Sequence, residues 1–432
     1  MKFNSHYVLN HVNIVDLDKG KILADYSLEV KDGTIIRLGY SLPVDPNIGS
    51  INLRGCYLLP GLINLHTHLF GDGVPKEAIS NKGKSQEKLV KLVKTPVGKA
   101  YLRHLAKTNV RNALLSGVTT LRSVGDMRYS DVYVRDLINS GKMEGPRMLV
   151  SGYAITCPNG HGDGTISIGC KTHEEYLKVI EENVKNKVDL IKITLTSGVM
   201  DALDANHPGD VMMSQEDVNF VVEEAHKRGL EVASHTECQE GIRMCLKAGV
   251  DTIEHGSFLD KELIKELKNS KSHIITTISP ALPSVMLSQE YSHYSDTQIA
   301  SCKIVSDGII SCAKELHDNN LLLGLGTDAS CPFASQTGMW RELCYYHKYA
   351  GASNLEALKA ATMNNAKIIH MEDRLGAIKA GKSADMILVN IDPLEDLKTL
   401  RSPTMVFHNG KIIINPKPKR NQKLEDMLDE LI

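Results

Sequence analysis

The stretch Leu59-Pro-Gly-Leu-Ile-Asn-Leu-His-Thr-His-Leu69 is a short apolar run that ends in two histidines spaced two residues apart. An apolar run of this length is typical of a buried β-strand. Alternate residues of a strand point to the same side, so His66 and His68 would project together from its end. The stretch therefore predicts a strand that brings two imidazoles to one point, where they can bind a metal ion.

Seven further apolar runs follow along the chain, each succeeded by residues with the spacing of an amphipathic helix. This order predicts a parallel sheet with helical crossovers. Eight such units in about 310 residues predict an α/β fold built on a (β/α)8 TIM-type barrel. The predicted strands are 59–65, 118–123, 147–154, 189–195, 230–234, 251–254, 273–278 and 321–326.

Both ends of the chain have a different pattern, in which short alternating strands are broken by Asp-Gly and Gly turns. It covers residues 7–58 and returns in residues 384–390 and 405–414. We expect the two parts to pair into one small β-sandwich domain. The predicted domains are 1–58 and 375–418 for the β-sandwich, 59–374 for the barrel, and 419–432 for a C-terminal helical tail.

Charge and composition narrow the range of partners. The 50 basic and 52 acidic residues of the 432-residue chain nearly cancel, so no net field attracts it to nucleic acid or to an anionic membrane. We find no apolar signal segment and no run of about 18 apolar residues. We expect a cytoplasmic protein with a small-molecule substrate, no nucleic-acid partner and no membrane partner. The sequence leaves open whether the chain forms a homo-oligomer.

Side chains that bind metals recur at the ends of the predicted strands. Strand four carries Lys192, strands five and six end at His235 and His255, and Asp328 follows strand eight. Chemistry in a TIM barrel lies at the C-terminal ends of its strands, so these groups would meet at one end. Imidazole and carboxylate groups are ligands of zinc and its neighbours. We therefore predict a metal site rather than polar core packing.

Several motifs resemble those of the amidohydrolase superfamily, within it the prolidase-like and imidazolonepropionase-like branch that includes Xaa-Pro and Xaa-Arg dipeptidases. The resemblance extends over nearly the full chain. The matching stretches are the opening one, Gly117-Val-Thr-Thr-Leu-Arg122, Asn159-Gly-His-Gly-Asp163, Ile191-Lys-Ile193, Val232-Ala-Ser-His235, Gly249-Val-Asp-Thr-Ile-Glu-His-Gly256, Gly326-Thr-Asp-Ala-Ser330, and residues 375–389.

The resemblance implies a binuclear amide hydrolase that cleaves a dipeptide or an N-acyl amino acid. The attacking group would be a hydroxide that bridges two divalent metal ions, expected to be zinc. Asp328 would also be the catalytic acid-base. The implied ligands are His66, His68 and Asp328 for the more buried ion, His235 and His255 for the more exposed ion, and N6-carboxylated Lys192 for both.

Two further residues are candidates for contact with the substrate. By resemblance, His161 lies in a glycine-rich loop that faces the active site, where it would bind the substrate or polarise its carbonyl; a surface-loop histidine is the alternative. Arg122, at the end of strand two, could bind a substrate carboxylate through a bidentate pair. A buried structural arginine is the alternative for that position.

Some residues depart from the family pattern. Asn64 and Ser123 stand where acids are usual, and Thr236-Glu237-Cys238 follows His235 where small residues and another histidine are more frequent. Glu237 would either alter the exposed metal site or point to solvent. Two rival functions stay open. A mononuclear cyclic-amide hydrolase or deaminase is disfavoured by the presence of Lys192, and a non-catalytic barrel scaffold by the retention of every ligand position.

Substrate choice would come from loops. The segment 200–213 contains Asp201, Asp204 and Asp210 but no Lys or Arg, which favours a cationic substrate if the segment overhangs the pocket. Residues 283–306 are either a lid or outer helices.

Overall fold

Parallel strands alternate with helices through the middle of the chain, in a computed structural model that describes residues 5–40, 42, 43, 45–76, 91–199 and 208–432. The strands are β1 (His6–Asp16), β2 (Lys21–Lys31), β3 (Thr34–Tyr40), β4 (Gly49–Asn52), β5 (Tyr57–Pro60), β6 (Leu62–Thr67), β7 (Val118–Ser123), β8 (Arg147–Val150), β9 (Ala154–Thr156), β10 (Ser167–Gly169), β11 (Leu190–Thr194), β12 (Glu231–Thr236), β13 (Thr252–His255), β14 (His273–Thr276), β15 (Leu323–Leu325), β16 (Met386–Val389), β17 (Met405–His408) and β18 (Lys411–Ile414).

The helices lie mostly between consecutive parallel strands. They are α1 (Pro96–Leu115), α2 (Ser130–Asn139), α3 (His173–Lys185), α4 (Gln215–His226), α5 (Gln239–Ala248), α6 (Lys261–Asn269), α7 (Ala281–Met286), α8 (Gln289–Ser292), α9 (Asp296–Asp318), α10 (Met339–Ala350), α11 (Asn354–Lys359), α12 (Asn365–Ile368) and α13 (Gln422–Asp429). Within the described ranges, none of them has the length and apolar content that crossing a bilayer requires.

The parallel strands form two sheets, with the orders β6-β7-β8 and β10-β9-β11-β12-β13-β14-β15. A hydrogen bond from Asp189 N to Val150 O links the sheets beside β8 and β11. At the other side, the amides of Thr327 and Asp328 donate to His66 O, which joins the segment after β15 to β6. The arrangement is consistent with a TIM-like barrel, with its largest apolar cluster formed by the strands and the surrounding helices.

Strands from both ends of the chain form a separate β-rich domain. Its eight-stranded sheet has the order β18-β17-β16-β5-β1-β2-β3, and β4 pairs with β1. The pairing of β5 with β16 is antiparallel and joins the two ends of the chain. A second apolar cluster, which includes the fully buried Tyr7, Leu28 and Phe407, lies in this domain.

Two predicted strand boundaries were wrong. The first predicted strand, 59–65, merges two strands, because Leu59 and Pro60 pair with β16 in the β-rich domain and the barrel strand begins at Leu62. The third, 147–154, is interrupted after Val150. Gly152 has a φ of +65° there, a left-handed conformation that ends the extended backbone.

The C-terminal helix α13 packs against α10 of the barrel. Arg341 donates to the carboxylates of Glu425 and Asp429 at 2.9 and 2.8 Å, and the side chains of Arg341 and Glu425 are only 2% and 1% exposed. Leu424 and Leu428 of α13 belong to an apolar cluster with Val305 and Ile309 of α9, among others. The helix is therefore an integral part of the barrel wall.

Asp385 connects the β-rich domain to the barrel. Its carboxylate accepts hydrogen bonds from Arg147 of β8 at 3.0 Å and from His408 of β17 at 2.8 Å, and its carbonyl accepts one from the Gly61 amide. Burial alone would raise the pKa of Asp385, but His408 and Arg147 outweigh burial and lower the pKa below its ordinary 3.8. The ionised carboxylate is the form that the contact requires.

We expect the substitution Asp385→Asn to destabilise the fold in a pH-dependent way. The pKa of Asp385 is lower in the folded chain, so the ionised carboxylate stabilises the fold above about pH 3.8, and this contribution disappears as the pH falls through the folded value. Loss of the buried charge should cost about 3 kcal/mol at pH 7. Urea unfolding between pH 7 and pH 3 measures it, with the exposed Asp373→Asn as control. A difference from wild type that grows on acidification would contradict the assignment.

Candidate metal centre

Four histidines and one aspartate converge where the barrel strands end. His66 Nε2 and His68 Nε2 lie 3.4 and 3.1 Å from Asp328 Oδ1. The ring of His255 lies with its centroid 4.6 Å from that of His66 and 4.6 Å from that of His235. All five side chains are buried. The predicted ligands from strands one, five, six and eight therefore form one cluster.

Three of these imidazoles are oriented by hydrogen bonds at their Nδ1 atoms. The partners are the Glu254 carboxylate for His66 at 2.7 Å, the Gly125 carbonyl for His68 at 2.6 Å, and the Thr277 hydroxyl for His255 at 2.7 Å. A ring that donates from Nδ1 presents its Nε2 lone pair on the other side. Such an outer contact to each imidazole is the arrangement that orients histidine ligands around a metal ion.

Burial sets the protonation of the two histidines on the other side of the cluster. It lowers the pKa of His235 and that of His255 well below the ordinary value, and the neighbouring positive groups lower both further. Both imidazoles therefore stay neutral, which is the form that binds a metal. His235 Nε2 is buried and has no hydrogen-bond partner among the described residues.

Lys192 lies under the cluster as predicted, on β11. Its amine Nζ is buried, and within the described part of the chain no hydrogen-bond partner contacts it. Burial lowers the pKa of Lys192 to about 8; Glu254 and Asp328 partly oppose this shift, and Arg122 adds to it. An amine so placed is stabilised only by losing its proton or by a change of its chemical form.

Glu254 was not predicted as a site residue. Its carboxylate accepts hydrogen bonds from His66, from Arg122 Nη2 and from Thr252 Oγ1, each at 2.7 Å. Burial would raise the pKa of Glu254, but Arg122 and His66 outweigh it and hold the pKa far below its ordinary value. The only signal in the sequence was an acid directly before His255.

Arg122 lies below the cluster and does not line the cavity. Its Nε donates to Leu65 O at 2.7 Å, its Nη1 to Thr252 at 3.0 Å and its Nη2 to Glu254. The residue is 2% exposed, so its donors are engaged inside the barrel. The geometry favours the buried structural arginine over the substrate clamp.

The backbone is strained at two of the predicted ligands. His255 and Asp328 have φ values of +70° and +51°, in the left-handed region that non-glycine residues rarely adopt. Each such residue costs on the order of 1–3 kcal/mol. The turn at His255 breaks the alternation of β13, so Glu254 and His255, which are neighbours, both contact the His66 side chain.

Close approach explains the glycine before the Thr327-Asp328 pair. A Cβ added to Gly326 would lie 2.3 Å from His66 Cβ. The Asn64 side chain also joins β6 to the segment after β15. Its Nδ2 donates to the Thr327 hydroxyl at 2.8 Å, and its Oδ1 accepts from the backbone amides of Thr327 and His66, each at 3.2 Å. The asparagine thus holds β6 against the segment that carries Asp328.

His161 lies beside the cluster, in the loop between β9 and β10. Its ring stacks on that of His235 with a centroid distance of 4.3 Å and an interplanar angle of 4°. Thr194 donates to the His161 carbonyl at 3.0 Å, and Gly198 leaves room for the ring, since a Cβ there would come within 2.8 Å of it. His161 therefore faces the centre from the side of the cavity.

A cavity of about 480 Å³ opens above the cluster. Apart from the ligands, its lining is largely apolar. Of the acidic segment predicted to favour cations, Asp201 and Asp204 lie outside the described residues, and Asp210 is not part of the lining. The segment 283–306 runs through α7, α8 and part of α9 and contributes Tyr294 to the lining. The apolar lining residues include Phe70, Val93, Leu102, Leu105, Val124, Met127, Ile166, Val199, Ala281, Val305 and Ile309.

Comparison with known proteins gives consistent relatives. A model of the amidohydrolase family matches residues 57–413. Ochratoxinase of Aspergillus niger is 26% identical over 333 residues, which are 70% of this chain and 67% of that protein. The crystal structure of a "putative prolidase" from Bifidobacterium longum matches with a TM-score of 0.86 and 36% sequence identity. The match covers 98% of this chain and 98% of that chain. A Xaa-Pro dipeptidase with bound methionine is 26% identical, with a TM-score of 0.82 over 95% of this chain and 100% of that chain.

We expect Glu254→Gln to weaken metal binding although Glu254 contacts no substrate. The amide cannot compensate the buried Arg122 charge and does not fix the His66 ring as a carboxylate does. Loss of such an outer contact typically lowers metal affinity about 10–100-fold. Titration of the chelated protein with Zn²⁺ measures the affinity, with the exposed Glu262→Gln as control. Unchanged affinity in Glu254→Gln would show that the contact does not serve the metal.

Proposed function

This chain belongs to the amidohydrolase family, in its prolidase-like and imidazolonepropionase-like branch, and we propose from that premise that it is a binuclear metal-dependent hydrolase. The bond it cleaves would be the C–N amide bond of a dipeptide or an N-acyl amino acid. The observation that carries the proposal is the convergence of four buried imidazoles, Asp328 and the buried Lys192 amine at one end of the parallel strands.

The donor set fits two divalent ions. Two groups of donor atoms each lie within 4.8 Å of one another; one consists of His66, His255 and Asp328, the other of His235, Glu237 and His255. His255, predicted for the outer ion, belongs to both groups, and His68, predicted for the buried ion, approaches Asp328 at 3.1 Å without being in either group. Three rings are oriented with Nε2 toward the centre, and His235 Nε2 is buried without a hydrogen-bond partner in the described ranges. Imidazole-rich sites with a carboxylate favour zinc and its neighbours, so zinc is the first ion to test.

Lys192 would bridge the ions as a carbamate. A protonated amine would repel two cations, whereas a carbamate offers two anionic oxygens. In its formation the neutral amine nitrogen bonds to the carbon of carbon dioxide and one proton is released. The lowered pKa of Lys192 makes the neutral amine more abundant than in an ordinary lysine, which supports the modification.

Bound ions would activate a water molecule and polarise the scissile carbonyl. The chain's own acid-base group would be Asp328, which would accept the proton of the attacking water and deliver it to the leaving nitrogen. Burial raises the pKa of Asp328, but His66 and His68 outweigh burial and keep the pKa well below its ordinary value. The carboxylate is therefore ionised and ready to accept a proton.

The cavity supports an apolar substrate held beside His161. The ring of His161 lies next to His235 at the edge of the centre, where it can donate a hydrogen bond to the carbonyl of the substrate. The apolar lining stabilises an apolar side chain or acyl group. The related Xaa-Pro dipeptidase binds methionine in its active site, which agrees with such a preference.

The parallel strands would support this centre as a closed barrel. We infer closure between β6 and β15 from the hydrogen bonds that the Thr327 and Asp328 amides donate to His66 O. In the alternative function, a mononuclear cyclic-amide hydrolase or deaminase, the buried Lys192 would have no comparable role.

Metal analysis of the wild type and of Lys192→Ala tests the proposal. We expect two ions per wild-type chain, and a loss of metal together with activity in the variant, because the carbamate cannot form. The exposed Lys178→Ala is the control and should keep both. One ion per chain, unaffected by Lys192→Ala, would contradict the binuclear centre and favour the mononuclear alternative.

A substrate panel on the same preparations tests the choice of bond. Xaa-Pro dipeptides, Xaa-Arg dipeptides and N-acyl amino acids would be compared, and in each class the Xaa side chain or acyl group would be either apolar or charged. We expect the apolar members of at least one class to be cleaved with a kcat/KM about tenfold or more above the charged ones, since burying an unpaired charge is costly. Faster cleavage of charged members would remove the argument from the cavity lining.

A further inference from the structure

The end of β12 repeats the spacing found at the end of β6. On β6 and directly after it, His66 and His68 are two residues apart and both reach the centre. On β12 and directly after it, His235 and Glu237 have the same spacing, and Glu237 Oε2 lies 4.0 Å from His235 Nε2. Residues two apart on an extended backbone point to one side, so the second pair is directed into the cavity like the first.

The position of Glu237 is well defined by its backbone. Its amide donates to the Thr196 hydroxyl at 3.1 Å. On another side, Gly209 approaches so closely that a Cβ there would lie 2.7 Å from the Glu237 carbonyl. The next residue, Cys238, is the N-cap of α5. Glu237 is thus held between the ends of two strands and the start of a helix.

We propose that the Glu237 carboxylate is a ligand of the outer metal ion, together with His235 and His255. This inference rests on the binuclear centre proposed above and adds a residue that the family pattern does not provide. The three donor atoms lie within 4.8 Å of one another, and His235 Nε2 is a buried nitrogen without a hydrogen-bond partner in the described residues. A single ion can draw the three donors together.

Charge and shielding favour the same role. The Glu237 side chain is 8% exposed, and a carboxylate shielded from water is stabilised most by a nearby cation. Carboxylate oxygen is a harder donor than imidazole nitrogen, so this ligand would raise the affinity of the outer position for ions such as Mn²⁺ relative to a site with imidazoles alone. The outer ion would then have an anionic ligand that needs no reaction with carbon dioxide.

Metal titration of the full-length chain tests the role of Glu237. The wild type, Glu237→Gln, Glu237→Asp and the exposed Glu240→Gln would be stripped with a chelator and titrated with Zn²⁺, and their Co²⁺ forms compared by absorption. In Glu237→Gln we expect the second ion to bind at least about tenfold more weakly, the first ion to be unchanged, and one set of cobalt bands to change. Glu237→Asp should lie between, and Glu240→Gln should match the wild type.

The outcomes separate this inference from the proposed function. Two ions bound with equal affinity by the wild type and by both Glu237 variants would overturn the role of Glu237 and leave the binuclear hydrolase intact. The same would follow if Glu237→Gln kept both ions but lost its preference for dipeptides with a free ammonium group over their N-acetylated forms, because Glu237 would then bind substrate. A wild type that binds a single ion would overturn both proposals.

Discussion

The buried carboxylate of Glu254 is the contact on which the centre and the strands beneath it depend. It lies on β13, accepts from Arg122 of β7 and from His66 of β6, and so joins three strands inside the barrel. Breaking a buried ion pair leaves an uncompensated charge, which costs more than the pair contributes. The orientation of His66, and with it the approach to Asp328, follows from this one group.

The convergence of the candidate ligands could be predicted because they follow the ends of apolar strands, which meet at one end of a barrel. Glu254 could not, because alternation along a strand places Glu254 and His255 on opposite faces. Only the left-handed backbone at His255 lets both face His66, and a pattern of residue types does not reveal a single φ angle. For Arg122 the sequence showed a cation at a strand end but not its partners, which come from strands distant in the chain.

The candidate centre and the cavity walls are built from different elements of the fold. The polar groups come from strand ends and are fixed by neighbouring strands, as the Nδ1 contacts of the histidines show. The apolar walls come from helices and loops, among them α9, which packs against the C-terminal helix α13. Walls of this kind can change without disturbing the ligands, which is how one barrel serves many substrates.

The pairing of β5 with β16 has a consequence for how the molecule comes apart. The strands that flank the barrel in the chain are neighbours in one sheet, so the barrel is topologically an insertion in a β-sheet domain. The sheet holds the two ends of the inserted barrel together by noncovalent contacts. While the sheet is formed, it restricts the conformational entropy of the inserted segment, much as a cross-link between its ends would. Contacts between residues so distant in the chain raise the contact order, which slows folding. Separation of β5 from β16 releases both ends of the barrel at once, which couples the unfolding of the two domains.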